Sequence, residues 1–217
     1  MKPKCRIPIT YQYCYTLSPG QNRLAQLFLI LVAFGAFFIA WQLIRWLSPA
    51  LLRPVPSGIT LIDRYGILVV VVAMILMHEN IHAFVAWRCT NHWPSYGVTP
   101  LGIYVNTAEW YFPRSMMIAI SIAPFLILTL LGFLLLVILP TAFARLSVWL
   151  ILLNGVGSIN DVAVTTWIFF QPDSALIQND GREIRIFRAQ GGVNLTMKLR
   201  DRIRIFLERV WIKPNLI

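Results

Sequence analysis

Cysteine, histidine and acidic residues are all scarce in this 217-residue sequence. The three cysteines, Cys5, Cys14 and Cys89, are odd in number and form no CxxC pair, which argues against a disulfide framework. Three histidines are too few for the di-iron cluster of histidine-rich membrane hydroxylases. Nine acids face nineteen lysines and arginines, which gives a net charge of +10. Because histidine and acidic residues are so few, one that lies inside an apolar segment needs a specific explanation.

Hydrophobic residues, in contrast, are abundant. They make up 58% of the chain, and the mean hydropathy is +0.67. A soluble fold of this size could not cover so much apolar surface, so a compact membrane protein is predicted. The basic residues lie mostly outside the apolar runs and toward the two ends. This distribution favours the inner face of a lipid bilayer over nucleic acid as the partner.

Four apolar runs are long enough to cross a bilayer, which takes about 20 helical residues. The first run follows a basic N-terminus, but it is longer than the apolar part of a signal peptide and lacks a small-residue cleavage site, so we expect a retained helix. The short link around Pro140 predicts that the third and fourth helices are antiparallel neighbours. The proline-rich stretch between the first two spans predicts an irregular connection. The predicted spans cover residues 24–47, 65–87, 115–139 and 146–170.

Lysine and arginine in the flanking segments predict the orientation of these spans. Four basic residues and no acid precede the first span, nine basic residues follow Phe170, and the two loops predicted to lie outside hold three. Both termini are therefore expected in the cytoplasm of a multi-pass protein, with the cell membrane as the expected location. The predicted division is a cytoplasmic segment 1–23, a transmembrane core 24–170 and a cytoplasmic segment 171–217.

The segments outside the spans carry weaker patterns. SYGVTPLGIYVNTAEWYF, which follows the second span, predicts one or two short strands or a hairpin at the cytoplasmic mouth, with an interfacial aromatic loop as the alternative. NDG at 179–181 predicts a turn followed by a strand. Residues 198–213 are typical of a basic amphipathic helix on the inner leaflet, or of an ordinary docked helix. The predicted fold class is thus an all-α membrane protein of about four transmembrane helices with a short hairpin-like loop.

The motif HENIH occupies residues 78–82, inside the second apolar run. A helix carries His78 and His82 on one face, one turn apart, so both imidazoles can reach a single metal ion. Glu79 is placed to accept a proton from water without being a ligand. An ionisable group in a transmembrane helix costs about 2.5–3.5 kcal/mol, so these side chains need a partner or a purpose. Hydrogen bonding to neighbouring helices, or reaching the membrane interface, is the alternative.

A catalytic zinc site needs a third protein ligand. Among the nine acids only Glu79 and Asp161 lie inside a predicted span, and His92 lies outside the predicted helix. Because the second and fourth spans run in the same direction, a rise of 1.5 Å per residue places Asp161 within a few ångströms of the depth of His78 and His82. Asp161 is therefore predicted as the third ligand, in a site that opens toward the cytoplasm.

A polar stripe surrounds this aspartate. Asn154, Ser158, Asp161 and Thr165 are spaced by four, three and four residues, which predicts a helix face that looks into the bundle. Ser158 is predicted to orient Asp161 or a ligand histidine, and Asn154 to hydrogen-bond the substrate backbone or a developing oxyanion. Ordinary helix packing is an equally open interpretation for Ser158 and Thr165.

The two motifs together resemble the site-2 protease group of intramembrane metalloproteases, which carry HExxH on one transmembrane helix and a distal aspartate in an asparagine-led motif. Here NGVGSIND reads NxxGSxxD, whereas the best-known members have NxxPxxxLDG. The variant is similar to a smaller family of membrane zincin peptidases, which also has a Gly-rich hairpin loop and an Ala-Pro pair, here Ala123 and Pro124. The resemblance implies zinc on the two histidines and Asp161, with Glu79 as the general base.

The sequence therefore predicts a zinc-dependent intramembrane endopeptidase that hydrolyses membrane-embedded or membrane-adjacent peptides. The strand-like loop would hold an unwound substrate by edge pairing. A non-proteolytic membrane metal-binding protein is the alternative, although the complete set of HENIH and Asp161 argues against a dead enzyme. A transporter is disfavoured because no internal repeat is visible.

Overall fold

The computed structural model describes residues 3–17, 23–47, 60–99, 102–139, 141–181 and 183–189. The proline-rich connection and the predicted amphipathic helix over 198–213 lie outside these ranges. Within them, the helices are α1 (Arg23–Leu47), α2 (Thr60–Thr90), α3 (Arg114–Ile138), α4 (Thr141–Gly157) and α5 (Ile159–Phe169). The strands are β1 (Tyr11–Leu17), β2 (Ser95–Thr99), β3 (Gly102–Asn106), β4 (Phe112–Pro113), β5 (Leu176–Asn179) and β6 (Ile184–Ala189).

Among the described residues, three helices are long and apolar enough to cross a membrane. The qualifying segments are Gln26–Trp46 of α1, Tyr65–Thr90 of α2 and Arg114–Ile138 of α3. They confirm the first three predicted spans as helices. The chain is thus mostly helical and compatible with a membrane protein.

The fourth predicted span, 146–170, is wrong as a single helix. Helices α4 and α5 meet at Ser158 with a bend of 49°, and only the bent pair taken together is long enough to be a fourth span. Gly155 and Gly157 weaken the helix just before the bend, and serine is a favoured residue at the start of the next helix. Hydropathy, on which the prediction rested, does not register either effect.

Helices α3 and α4 are antiparallel neighbours, as the short link between them predicted. Gly132 of α3 lies against Ile151 of α4, where any larger side chain would collide with the isoleucine. Three residues earlier on α3, the hydroxyl of Thr129 accepts a hydrogen bond from Asn154, three residues later on α4. Contacts that advance along one helix while they recede along the other define an antiparallel pair.

The β-structure exceeds what was predicted. Strands β2 and β3 form an antiparallel hairpin, which confirms the hairpin interpretation of the loop after α2. Strands β5 and β6 enclose the NDG turn, where Gly181 has a φ of 83° that favours glycine, and this confirms the predicted turn and following strand. A four-stranded antiparallel sheet in the order β1-β6-β5-β4 includes the N-terminal strand β1, which the sequence interpretation missed. The fold class all-α is corrected to mostly helical with two small sheets.

The chain forms two compact units, each with its own core. One unit comprises residues 29–81 and 122–161, and Met74, Leu128 and Leu150 are buried together in it. The other comprises residues up to 28, 82–121 and those from 162 onward. Its core joins apolar residues of α5, such as Ile168, to residues of the sheet, such as Ile186.

Arg114, at the start of α3, fixes the end of α5. Its guanidinium donates hydrogen bonds to the carbonyls of Phe169 at 3.1 Å and Gln171 at 2.7 Å, and it pairs with Asp173. The last carbonyls of a helix have no partner within the helix, and a cation there also interacts favourably with the helix dipole. Arg114 therefore holds in place the helix that begins two residues before Asp161.

Candidate metal centre

Helix α2 carries the whole HENIH motif within continuous helical structure. His78 is buried at 8% exposure, and Glu79 and His82 are half-buried. The Asn80 side chain is exposed and donates a hydrogen bond to the carbonyl of Leu76, one turn earlier in the same helix, at 2.7 Å. The two histidines and Glu79 are thus the polar groups of the motif that are at least partly buried.

Asp161 stands in the first turn of α5, immediately after the bend at Ser158. A carboxylate is favoured at that position because the first amides of a helix are positively polarised. Its Oδ2 lies 2.9 Å from Nε2 of His78, and the two side chains are 21% and 10% exposed. The contact between His78 and Asp161 brings together two of the three predicted ligand residues, which are 83 positions apart in the sequence.

His78, His82 and Asp161 each offer a ligand atom, and these atoms all lie within 4.8 Å of one another. Zinc bonds of about 2.0–2.1 Å in tetrahedral geometry place two ligand atoms about 3.3 Å apart. The separations are therefore within small side-chain adjustments of a zinc site, and two imidazoles with one carboxylate form a donor set typical of catalytic zinc. The group does not include His92, whose ring lies 5.4 Å from that of Trp110.

The ring of His82 is oriented by a backbone carbonyl. Its Nδ1 lies 2.8 Å from the carbonyl oxygen of Ile120 on α3. A carbonyl can only accept, so Nδ1 must carry the hydrogen, and in the neutral ring the lone pair is then on Nε2. Ligand histidines commonly donate their second nitrogen in this way, which fixes the ring for the metal.

Asn154 and Ser158, the other predicted site residues, are fully buried. Asn154 donates to the carbonyl of Phe125 at 3.0 Å and to the hydroxyl of Thr129 at 3.1 Å. Ser158 donates to Oδ1 of Asn154 at 3.3 Å. The two bonds of Asn154 join α4 to α3 directly before the bend that leads into Asp161, and the bond of Ser158 joins the bend to Asn154. The contacts fit a role in holding the bend, and the predicted contact with substrate stays a prediction.

The match to known proteins falls on this part of the chain. Residues 71–176 match the family model described as "putative zincin peptidase". The matched range is a little under half of the chain and contains both HENIH and NGVGSIND. No curated protein and no solved structure matches. The zincin match and the cluster of two histidines and an aspartate both favour a zinc peptidase, which is the class that the sequence predicted.

Sequence reasoning missed two features that support the centre. One is the bond between His82 and Ile120, for which the only signal was Pro124, four residues after Ile120. The other is the bend at Ser158, for which the paired glycines were the signal.

Proposed function

We propose that this chain is a zinc-dependent intramembrane endopeptidase. The observation that carries the proposal is the cluster of His78, His82 and Asp161, with ligand atoms within 4.8 Å. The two histidines lie on a helix apolar enough to cross a membrane, and the aspartate lies on the bent pair that could form a fourth span. Ionisable side chains in such segments are expensive and generally mark a functional site.

His78, His82 and Asp161 would hold the zinc. When bound, zinc supplies the Lewis-acid chemistry of peptide hydrolysis, since it polarises a carbonyl and acidifies water. Glu79 follows His78 directly and lies three residues before His82, so its carboxylate is next to the ligands on the helix surface. In that position Glu79 accepts the proton of the attacking water and passes it to the leaving amine. The hydrogen bond from His82 Nδ1 to the Ile120 carbonyl would hold the His82 ring in one orientation during the reaction.

The proposed setting is the membrane, with both termini and the mouth of the site on the cytoplasmic side. The excess of lysine and arginine in both terminal segments supports this orientation. The substrates would be membrane-embedded or membrane-adjacent peptides. A peptide bond inside a helix has its carbonyl hydrogen-bonded and shielded, so such a substrate must unwind before it is cut.

The first test is the zinc content of the purified full-length chain. We expect one zinc per chain in the wild type, and a loss of at least nine-tenths of it in His78→Ala. Asn80→Ala is the matched control because Asn80 belongs to the same motif but is exposed and bonded to its own helix. Elemental analysis after gel filtration in detergent gives the readout. A wild type without zinc, or zinc retained in His78→Ala, would overturn the proposed metal centre.

The hairpin of β2 and β3 is proposed to hold the unwound substrate as an added strand. The two strands form a sheet of their own, and Val98 of β2 is 74% exposed. Extended peptides bind to such strands through backbone hydrogen bonds. In an antiparallel pair, the backbone N–H and C=O groups of alternate residues point toward the same edge. Those of Ile103 and Val105, two residues apart on β3, therefore point toward one edge together.

Ile103→Pro should therefore reduce cleavage about 5–30-fold, because loss of the Ile103 N–H and distortion of the backbone beside it remove about 1–2 kcal/mol of backbone hydrogen bonding. Zinc content should stay at the wild-type level. Ile103→Ala is the matched control, since it shortens the side chain and keeps the N–H. Cleavage of transmembrane peptides in vesicles, followed by mass spectrometry, gives the rates. Equal rates for the proline variant and wild type would remove the hairpin from the mechanism.

A further inference from the structure

We infer that Pro124 is a positioning residue for the metal centre. Because proline has no backbone N–H, it leaves the carbonyl of Ile120 available to His82, and this carbonyl selects the histidine tautomer that can bind metal through Nε2. The inference concerns the apo protein first, and it rests on the proposed function only for its effect on zinc affinity.

Pro124 interrupts the hydrogen-bond pattern of α3. In an α-helix the N–H of each residue bonds to the carbonyl four residues earlier, so residue 124 would normally satisfy Ile120. Pro124 lies inside α3 and cannot donate, and its ring also pushes against the carbonyl at that position. The Ile120 carbonyl therefore lacks the donor that it would normally have in α3.

The part of α3 that holds the Ile120 carbonyl is buried. Ile120 is 4% exposed and Pro124 is among the fully buried side chains. A buried backbone carbonyl without a donor costs about 1–3 kcal/mol, so the position selects for a donor from a neighbouring element. The Nδ1–H of His82 supplies it at 2.8 Å.

The hydrogen bond to Ile120 also selects the tautomer of the His82 imidazole. A neutral histidine in water prefers neither tautomer strongly, and a ring that carries its hydrogen on Nε2 must move that hydrogen before it can bind metal there. The bond to Ile120 holds the hydrogen on Nδ1 in advance. Proline at 124 thus favours the tautomer of His82 that can bind metal through Nε2.

The test begins with the tautomer of His82 in the metal-free full chain. The protein contains only three histidines, so nitrogen-15 spectra of selectively labelled protein in mildly alkaline buffer can be assigned with single-histidine variants. The wild type should show His82 protonated at Nδ1. In Pro124→Ala the restored N–H competes for the Ile120 carbonyl, and the Nε2–H form should rise to a substantial share. His82 protonated at Nε2 in the wild type, or an unchanged tautomer in Pro124→Ala, would overturn the inference.

The second measurement is zinc affinity, by competition with a chelator. Groups that only orient a ligand contribute about 10–100-fold to affinity, so Pro124→Ala should bind zinc weaker by that factor. Leu126→Ala is the matched control because Leu126 is 55% exposed on the same helix and its N–H is unaffected. Wild-type affinity in Pro124→Ala would overturn the inference and leave the metal centre intact. A wild type that binds no zinc would overturn the proposed function, while the tautomer result still decides the role of Pro124.

Discussion

Glu79→Gln should lower peptide hydrolysis by about 10²–10⁴-fold, the range that a positioned general base contributes, and should leave the zinc content unchanged. Glutamine keeps the shape and hydrogen-bonding reach of the side chain but cannot accept a proton. Glu79 is not among the three clustered residues proposed as ligands, so removal of its charge should not remove a metal bond.

The measurement compares cleavage of a pool of synthetic transmembrane peptides, reconstituted in vesicles with wild type or variant, by mass spectrometry of the products. Glu109→Gln is the matched control, because Glu109 is exposed and belongs to a loop after β3. The same experiment separates the peptidase from a membrane protein that only binds metal. Undiminished cleavage by Glu79→Gln would remove the glutamate from the chemistry, and absence of cleavage by the wild type with zinc bound would favour the non-proteolytic alternative.

Asp161→Ala should weaken zinc binding by about 10²–10³-fold and abolish cleavage at ordinary zinc concentrations. Zinc sites with four ligands bind with about 10–16 kcal/mol, so one ligand is worth about 2.5–4 kcal/mol. The carboxylate would also supply negative charge that partly neutralises a bound ion, and its partner in the structure is His78, another of the proposed ligands.

Asp161→Asn is the matched variant, because the carboxamide fills the same space beside His78 but is a poor zinc ligand. Both variants should show the same loss of zinc in competition with a chelator. Intact helical circular dichroism in Asp161→Asn would assign that loss to the metal centre and exclude a change of fold. A stoichiometric zinc that persists in both variants would contradict the assignment of Asp161 as the third ligand.

The first three helices were predictable because hydropathy over about 20 residues reports directly on the cost of placing backbone and side chains in lipid. The bend at Ser158 was not predictable in this way. It depends on glycines, a helix-starting serine and the buried bonds of Asn154 to α3, and the mean hydropathy of a segment does not report whether its helix is broken.

The N-terminal strand β1 illustrates a second limit. Its sequence, YQYCYTL, lies in a segment that the interpretation described only by its basic charge. The strand pairs with β6, which begins more than 160 residues later, so its existence depends on a partner that local patterns do not identify. Non-local pairing of this kind is decided by packing, here against apolar residues such as Ile186 and Ile168.

The sequence by itself determined which groups are the candidates for chemistry, because HENIH and Asp161 were the few groups inside predicted spans whose cost required a purpose. Helix periodicity alone put His78 and His82 on one face, and the rise per residue alone brought Asp161 to their depth. The tertiary structure decided what orients these groups. Whether a carbonyl such as that of Ile120 meets a histidine 38 residues away depends on how α3 lies beside α2, and side-chain hydrogen bonds form only once that packing exists.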